Sequence, residues 1–355
     1  DWLADRSYEA AKRLRAASEP RRREILRRLN LAPGGTLALV RMREDLMARL
    51  REAPDLRPLD EDFAHLFVTW FNRGFLTLRH IDWDTPAAIL EKIIRYEAVH
   101  VIQGWDDLRN RLVPGDRRCF AFFHPSLVDE PLIFVEVALT AEIPAAIAPL
   151  LVPGRAPIEA EQATCAVFYS ISNTQKGLAG VSFGNFLIKQ VVEDLRHALP
   201  NLTTFVTLSP VPGFAKWLAR ERAGEALPEA DRVALAALDT PDWHLDPALV
   251  EQVRAPLLAA AARYFLAAKR DDGRIPDPVG RFHLGNGARL ERLDFLGDLS
   301  THGLAQSHGL MVNYLYDLDA IERNHEEFVE NGNVVASAEV RRHLETKSRS
   351  VLVGA

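Results

Sequence analysis

The sequence predicts a helical N-terminal domain over residues 1–71, followed by an α/β domain over residues 72–355. Three observations lead to this fold class. At roughly 100–200 residues per domain, 355 residues suit two domains. The first 70 residues contain helical patterns and no strand pattern. From about residue 72 onward, short β-rich runs alternate with helical stretches.

Composition excludes several classes of protein. Hydrophobic residues make up 48% and charged residues 26% of the chain, as in ordinary globular proteins. The net charge of −6 argues against a strongly basic nucleic-acid binder. Two cysteines, Cys119 and Cys165, are too few for a disulfide scaffold or a cysteine-cage zinc site. No apolar run reaches the roughly 18 residues of a membrane span. With no leader or retention signal in view, we expect a cytoplasmic protein that does not bind membranes, and an N-terminus truncated before Asp1.

The N-terminal domain should consist of three helical stretches. Pro20 divides the first of them, Arg6–Leu29, and Asn30–Gly35 is a helix stop. In the second stretch, apolar residues recur every three or four positions: Leu39, Met42, Leu46 and Leu50. Asp60 should cap the third helix, whose apolar residues are Phe63, Leu66, Phe67 and Trp70. A segment of this kind suits docking or self-association.

The second domain reads as alternating strands and helices. Thr85 and Pro86 start a helix over Ala87–Arg95. The predicted strands are a hairpin of Cys119–His124 and Leu132–Thr140, followed by Ala166–Ile171, Thr204–Leu208 and Leu310–Leu315. The further predicted helices are Pro144–Leu151, Phe183–Leu199, a helical region that runs to about Arg270 and a helical tail. Asp246 and Pro247 start the last segment of the region that ends near Arg270.

A glycine-bearing loop, Ser172–Asn185, lies between a predicted strand and a predicted helix. Gly177, Gly180 and Gly184 would let backbone amides approach a phosphate group closely. Their spacing fits neither a Walker A loop nor a dinucleotide fingerprint. The loop loosely resembles the acyl-CoA pyrophosphate loop of the GCN5-related acetyltransferases. An ordinary helix entry with turn glycines is the alternative.

Four further residues stay open on residue patterns alone. Ser209 follows a strand and precedes Pro210, so it is either a strand-ending turn or a serine held at the sheet edge. His283 lies beside a Gly-Asn-Gly turn, which favours an exposed loop. Tyr314 and Tyr316 belong to an apolar run and would be core residues.

Taken together, separated motifs over about residues 72–320 resemble the malonyl-CoA decarboxylase family. Four motifs carry the resemblance: Phe168–Leu178 (FYSISNTQKGL), Leu208–Phe214 (LSPVPGF), Phe282–Ala288 (FHLGNGA) and Gly309–Tyr316 (GLMVNYLY). Glu97–His100 and Val137–Thr140 support them.

The resemblance implies a fold and an activity. It implies a catalytic domain of GCN5-related acetyltransferase-like fold with a mixed sheet, and a helical domain that associates into a homo-oligomer, a dimer or a tetramer. The activity converts malonyl-CoA to acetyl-CoA and CO2, with no metal or organic cofactor. The helical domain here is shorter than that of a full family member.

The resemblance also assigns residues. The catalytic serine falls on Ser209 and the catalytic histidine on His283. Ser170 and Tyr316 match further substrate-site positions. The CoA-contacting loop falls on seven consecutive residues: Ala179, Gly180, Val181, Ser182, Phe183, Gly184 and Asn185. Some members carry glutamate where this chain has Ser182, so Ser182 is expected to contact the ligand without acid–base duty.

The chemistry suggests a division of labour between the two catalytic residues. Ser209 would hydrogen-bond the malonyl group and fix its geometry, and His283 would deliver a proton to the enolate, directly or through a water molecule. Two rivals remain, an acyl-CoA-dependent acyltransferase of the same fold and a non-catalytic acyl-CoA-binding module. A serine hydrolase is disfavoured because no Gly-x-Ser-x-Gly elbow surrounds Ser209.

Overall fold

The computed structural model describes residues 6–181 and 187–345. Helices at the N-terminal end follow the predicted pattern, with Pro20 between the first two because proline cannot continue a helix. Their bounds are α1 (Tyr8–Ser18), α2 (Arg21–Asn30), α3 (Gly35–Arg49) and α4 (Arg57–Trp70).

Two details of this segment differ from the prediction. Asp60 does not cap α4, which begins at Arg57, and its carboxylate instead accepts a hydrogen bond from Arg43 Nε at 2.8 Å. Met42 is 47% exposed, while Val40 faces the core. The apolar face of α3 is therefore rotated relative to the predicted stripe.

Within the described residues, eight strands form one mixed sheet in the order β1-β2-β3-β4-β5-β8-β6, with β7 on the other edge of β8. All neighbours pair antiparallel except β4 and β5, which are parallel. The strands are β1 (Thr77–Ile81), β2 (Arg117–Phe123), β3 (Pro131–Thr140), β4 (Cys165–Asn173), β5 (Thr204–Thr207), β6 (Ser209–Pro210), β7 (Arg289–Asp294) and β8 (Met311–Leu315). The predicted fold class, a helical segment followed by a mixed sheet, is confirmed.

The sheet opens between β4 and β5. Their pairing ends at Phe168 and Thr207, and the Leu208 amide makes the next bond, to the Phe168 carbonyl. At the same level, β4 carries a bulge that leaves Tyr169 without a partner residue on β3. Beyond this point the two strands stop bonding each other, and space opens between them.

Helices cover the sheet: α5 (Ala87–Tyr96), α6 (Trp105–Leu112), α7 (Ala148–Leu151), α8 (Leu187–Ala198), α9 (Phe214–Ala223), α10 (Glu229–Leu235), α11 (Pro247–Leu266), α12 (Pro278–Gly285), α13 (Thr301–Ser307), α14 (Ile321–Val329) and α15 (Ala338–Glu345). Asp246 caps α11 as predicted. The helix predicted over Pro144–Leu151 is shorter in the structure, where it forms α7. The helix predicted over Phe183–Leu199 corresponds to α8, and residues 183–186 lie outside the described residues.

One hydrophobic cluster joins the helical segment to the sheet. It includes Leu39 of α3 and Phe67 of α4 together with Phe122 of β2. Cys119 and Cys165 are both buried and free. In the described part of the chain, no helix is both long and apolar enough to cross a membrane.

Candidate active site

Ser209 stands where the sheet opens. Thr207 ends β5, and two residues later Ser209 pairs with Val312 of β8. In an extended chain, alternate residues face the same side, which brings the Thr207 and Ser209 hydroxyls within 2.9 Å of each other. The chain does not simply turn at Ser209-Pro210, as one open alternative had it, because this pair bridges to β8 before the chain leaves the sheet.

His283 comes from α12 and is 3% exposed. The expectation of an exposed loop is wrong, because the Gly-Asn-Gly sequence ends this helix rather than presenting the histidine to solvent. Asp277 caps the helix, since its Oδ1 accepts the Gly280 amide at 2.6 Å. Gly287, at φ +81°, lies so close to the Ile321 carbonyl that a Cβ would stand 2.1 Å from its oxygen. The turn is thus packed against α14.

Hydrogen bonds link four polar side chains in this part of the structure, those of Thr207, Ser209, His283 and Tyr316. His283 Nε2 lies 3.3 Å from Ser209 Oγ, and His283 Nδ1 lies 2.8 Å from the Tyr316 hydroxyl. Tyr316 is held just past β8 by its amide, which donates to the Phe205 carbonyl at 2.8 Å.

One tautomer satisfies the whole chain: Tyr316 O–H donates to Nδ1, Nε2–H donates to Ser209, and Ser209 donates to Thr207.

Burial sets the charge of this network. It lowers the pKa of His283 to about 3, because charging the ring would cost its hydration. Burial likewise raises the pKa of Tyr316 well above its ordinary value. At neutral pH both groups are therefore uncharged. The His283 ring also stacks on Tyr314, with ring centres 4.6 Å apart, which fixes its orientation.

A small cavity of about 250 Å³ lies against Ser209 and His283. Its lining is mostly apolar and includes Val99, Phe168 and Val279. No lysine or arginine lines it among the residues the structure describes. An anion in this cavity would therefore meet neutral donors rather than a countercharge.

A larger cleft of about 1380 Å³ adjoins the small cavity, and both are lined by Ile171, Asn173 and Phe282. Its volume exceeds the roughly 300–1,000 Å³ of sites for drug-sized ligands. Four cationic side chains line the cleft: Lys176, Lys269, Arg274 and Arg281. The two spaces together can accept a long anionic ligand that ends beside His283.

The predicted ligand loop lies along the larger cleft in its described part. Ala179, Gly180 and Val181 line the cleft, whereas Ser182, Phe183, Gly184 and Asn185 fall outside the described residues. Gly180 has φ +76°, which suits a turn. Gly177 was expected to let its amide approach a phosphate group. In the structure it allows close contact with α3, because a Cβ there would stand 2.0 Å from the Val40 carbonyl oxygen.

Ser170 is placed apart from Ser209 and His283. Its hydroxyl donates to the Glu97 carboxylate at 2.9 and 2.7 Å. Glu97 also accepts the amides of Val99 and His100, both at 2.8 Å. Val99 lines the small cavity, so this buried cluster shapes the cavity wall from behind.

Sequence reasoning gave no role to Thr207, Glu97 or Arg43. The alternation of Thr207 and Ser209 is the one signal that could have indicated a shared face. Among the described residues, no group of three or more His, Cys, Asp or Glu side chains could hold a metal ion.

Comparison with known proteins decides the family. The family model described as the malonyl-CoA decarboxylase C-terminal domain matches residues 74–353, and the model of the N-terminal domain of the same family matches residues 1–71. The chain belongs to the malonyl-CoA decarboxylase family.

Relatives and solved structures of the malonyl-CoA decarboxylase family agree with this assignment. A mitochondrial malonyl-CoA decarboxylase of Anser anser anser is 35% identical over 359 residues, which cover 94% of this chain and 71% of the relative. The crystal structure of malonyl-CoA decarboxylase from Rhodopseudomonas palustris is 64% identical, with a TM-score of 0.92 over 96% of this chain and 84% of that chain. The structure from Agrobacterium vitis is 60% identical, with a TM-score of 0.92 over 97% and 84% of the two chains.

Proposed function

We propose that this protein decarboxylates malonyl-CoA to acetyl-CoA and CO2. The observation that carries the proposal is the Ser209–His283–Tyr316 network beside a small apolar cavity, which shares lining residues with a larger cleft that carries cationic side chains. Membership of the malonyl-CoA decarboxylase family supports the substrate and the product.

The coenzyme would occupy the larger cleft, with its acyl end in the small cavity. Lys176 and Arg274 line the cleft and make no side-chain hydrogen bond to another described residue, so both are available to phosphate groups. The loop Ala179–Asn185 would offer backbone amides to the pyrophosphate. Local donors of this kind explain how a chain with a net charge of −6 binds an anion.

The cavity favours the bond-breaking step. When the malonyl carboxylate leaves as CO2, the electron pair of the broken C–C bond moves into the thioester and forms an enolate. Charge concentrated on a carboxylate thereby spreads over a larger group, a change that a cavity without lysine or arginine assists. Ser209 O–H and His283 Nε2–H are the neutral donors beside the cavity. On substrate binding they would exchange their bonds to Thr207 and to Ser209 for bonds that stabilise the enolate oxygen and orient the carboxylate.

A proton must then reach the enolate carbon. His283 is neutral at working pH, so it would give up Nε2–H while Nδ1 accepts the Tyr316 proton across 2.8 Å. An enolate carbon is a strong base, which makes donation from a neutral ring feasible. A proton from solvent would then add to Nε2 while the Nδ1 proton returns to the Tyr316 oxygen, which restores the network. In sum, malonyl-CoA plus a proton gives acetyl-CoA plus CO2. In this scheme Tyr316 takes part in the proton transfer.

The test is to incubate purified protein with malonyl-CoA and follow the products by mass. Acetyl-CoA should appear in step with malonyl-CoA loss. Ser209→Ala should reduce the rate by roughly 10²–10³ and His283→Ala by roughly 10²–10⁴, with CoA binding retained. Exposed Ser126 and His65 provide matched alanine controls that should keep full activity. Release of free thiol would indicate an acyltransferase, and bound but intact malonyl-CoA would indicate a non-catalytic module.

We also propose that residues 1–71 act as a self-association domain attached to a catalytic domain over residues 72–355. Apolar side chains stand exposed on the helical segment, among them Tyr8 at 80%, Ile25 at 57% and Leu31 at 84%. Apolar side chains exposed to this degree are available for burial against a second copy of the chain. Sedimentation should give the mass of a dimer or tetramer, and Ile25→Glu with Leu31→Glu should lower it. A wild-type protein that sediments as a monomer would refute this part.

A further inference from the structure

Arg43 of α3 reaches from the helical segment into the ligand loop. Its side chain is 4% exposed although it carries a charge. Its Nη1 donates to the carbonyls of Gly177 and Ala179, at 2.9 and 3.0 Å, and its Nε donates to Asp60. Buried charges are retained only when they are fully paired, and here the planar guanidinium serves three acceptors.

The backbones of α3 and the loop also touch directly. Gly177 sits against the Val40 carbonyl so closely that no side chain fits between them. Glu44, Met47 and Ala48, further along α3, line the larger cleft. The helical segment is therefore one wall of the cleft as well as the support of its loop.

We infer that Arg43 is a positioning residue for substrate binding, which fixes the loop at Gly177–Ala179 so that Gly180 and Val181, which line the cleft, are held toward the coenzyme. This inference rests on the proposed function, because it takes CoA to be the ligand of the cleft. Arg43 itself lies behind the loop and touches no reacting atom. Its loss should weaken binding and leave the chemistry at Ser209 and His283 intact.

The experiment compares Arg43→Met with wild type in the full-length chain. Calorimetry measures the Kd of CoA, and steady-state assays with malonyl-CoA measure KM and kcat. Kd and KM should both rise by about fivefold or more, the lower range of coupling between separated sites. The kcat at saturating substrate should stay within about twofold, because the catalytic network is untouched. Arg49→Met removes the same charge from an exposed position on α3 and should change none of these values.

Unchanged KM and Kd in Arg43→Met would overturn the inference, as would a loss of kcat with KM unchanged. If that variant does not fold, Arg43→Lys takes its place, because an ammonium can face Asp60 but does not reproduce the planar fork. Its KM should rise in the same direction, and an unchanged KM would again overturn the inference. A wild-type protein that neither binds CoA nor releases CO2 would refute the proposed function instead.

Discussion

Acidification should destabilise this protein through one buried histidine, and His283→Gln should remove that contribution. His283 is 3% exposed, and its pKa falls from an ordinary 6.5 to about 3 in the folded chain. Below pH 6.5 the unfolded chain binds a proton at this position and the folded chain does not. Stability is therefore fully present above pH 6.5 and falls as the pH drops toward 3.

The size of the effect follows from the two pKa values. Each pH unit between them costs about 1.4 kcal/mol. Between pH 6.5 and pH 5 the folded state therefore loses about 2 kcal/mol of stability from His283 alone.

Other buried groups also titrate. Burial lowers the pKa of His100 and of His308 to about 4, so these rings add to the loss of stability in acid, whereas two buried carboxyls act in the opposite direction. Burial raises the pKa of Asp277 to about 6 and that of Glu136 to about 8, so the folded state binds their protons more readily than the unfolded state. Acid stabilises the fold through these carboxyls. The net pH dependence of the wild type thus mixes both signs, and only a comparison with the His283 variant isolates the histidine.

Urea unfolding of wild type and His283→Gln at pH 7.5 and pH 5.0 measures the difference. The wild type should lose about 2 kcal/mol more than the variant over this interval. His65→Gln, at an exposed histidine, should behave as wild type. Equal losses in wild type and His283→Gln would refute the reasoning, since the ring would then titrate alike in the folded and unfolded chains.

Three further changes have defined outcomes. Tyr316→Phe removes the hydroxyl beside Nδ1 and should lower kcat by roughly 10²-fold with KM unchanged, as steady-state kinetics would show; full activity would exclude Tyr316 from the proton transfer. Asp277→Asn keeps an acceptor for the Gly280 amide but cannot titrate. Because burial raises the pKa of Asp277 to about 6, its carboxyl stabilises the fold more at pH 4 than at pH 6. On going from pH 4 to pH 6 the wild type should therefore lose about 2 kcal/mol of unfolding free energy relative to the variant, as urea unfolding would show; equal changes in the two proteins would contradict the raised pKa. Gly177→Ala should cost about 1–3 kcal/mol of unfolding free energy, because its Cβ would overlap the Val40 carbonyl, whereas Gly115→Ala has no atom within 4 Å of its Cβ and should be nearly neutral.

Periodicity predicted the long elements well and the short ones poorly. The hairpin of β2 and β3 was readable because both strands are rich in apolar and aromatic residues and flank a proline-bearing turn. The strands β1 and β7 carry charged residues and are partly exposed, so their sequences give no strand signal. They belong to the sheet because β2 and β8 offer free edges, a tertiary effect that local patterns do not contain.

The resemblance named the residues of the proposed site, but the sequence did not contain their arrangement. The resemblance placed Ser209, His283 and Tyr316 in one site, and the structure joins them by hydrogen bonds. The residue pattern alone suggested an exposed loop at His283, because glycines that end a buried helix look the same as glycines that form a surface turn. The sequence did not indicate that Arg43 is buried against the ligand loop. Arginines are mostly exposed, so an arginine in an amphipathic helix is assigned to the face that contacts solvent.

The apolar cavity and the neutral histidine have one cause. The proposed loss of the carboxylate favours a cavity without nearby cations, and the same buried, apolar surroundings hold the His283 ring uncharged. An imidazolium, the usual proton donor, is therefore absent before substrate binds. In the mechanism proposed above, the proton for the enolate comes from a neutral N–H, and a second donor replaces it at the other ring nitrogen. Tyr316, buried and 2.8 Å from Nδ1, meets that requirement. We therefore propose that this tyrosine lets an environment suited to decarboxylation also complete the protonation.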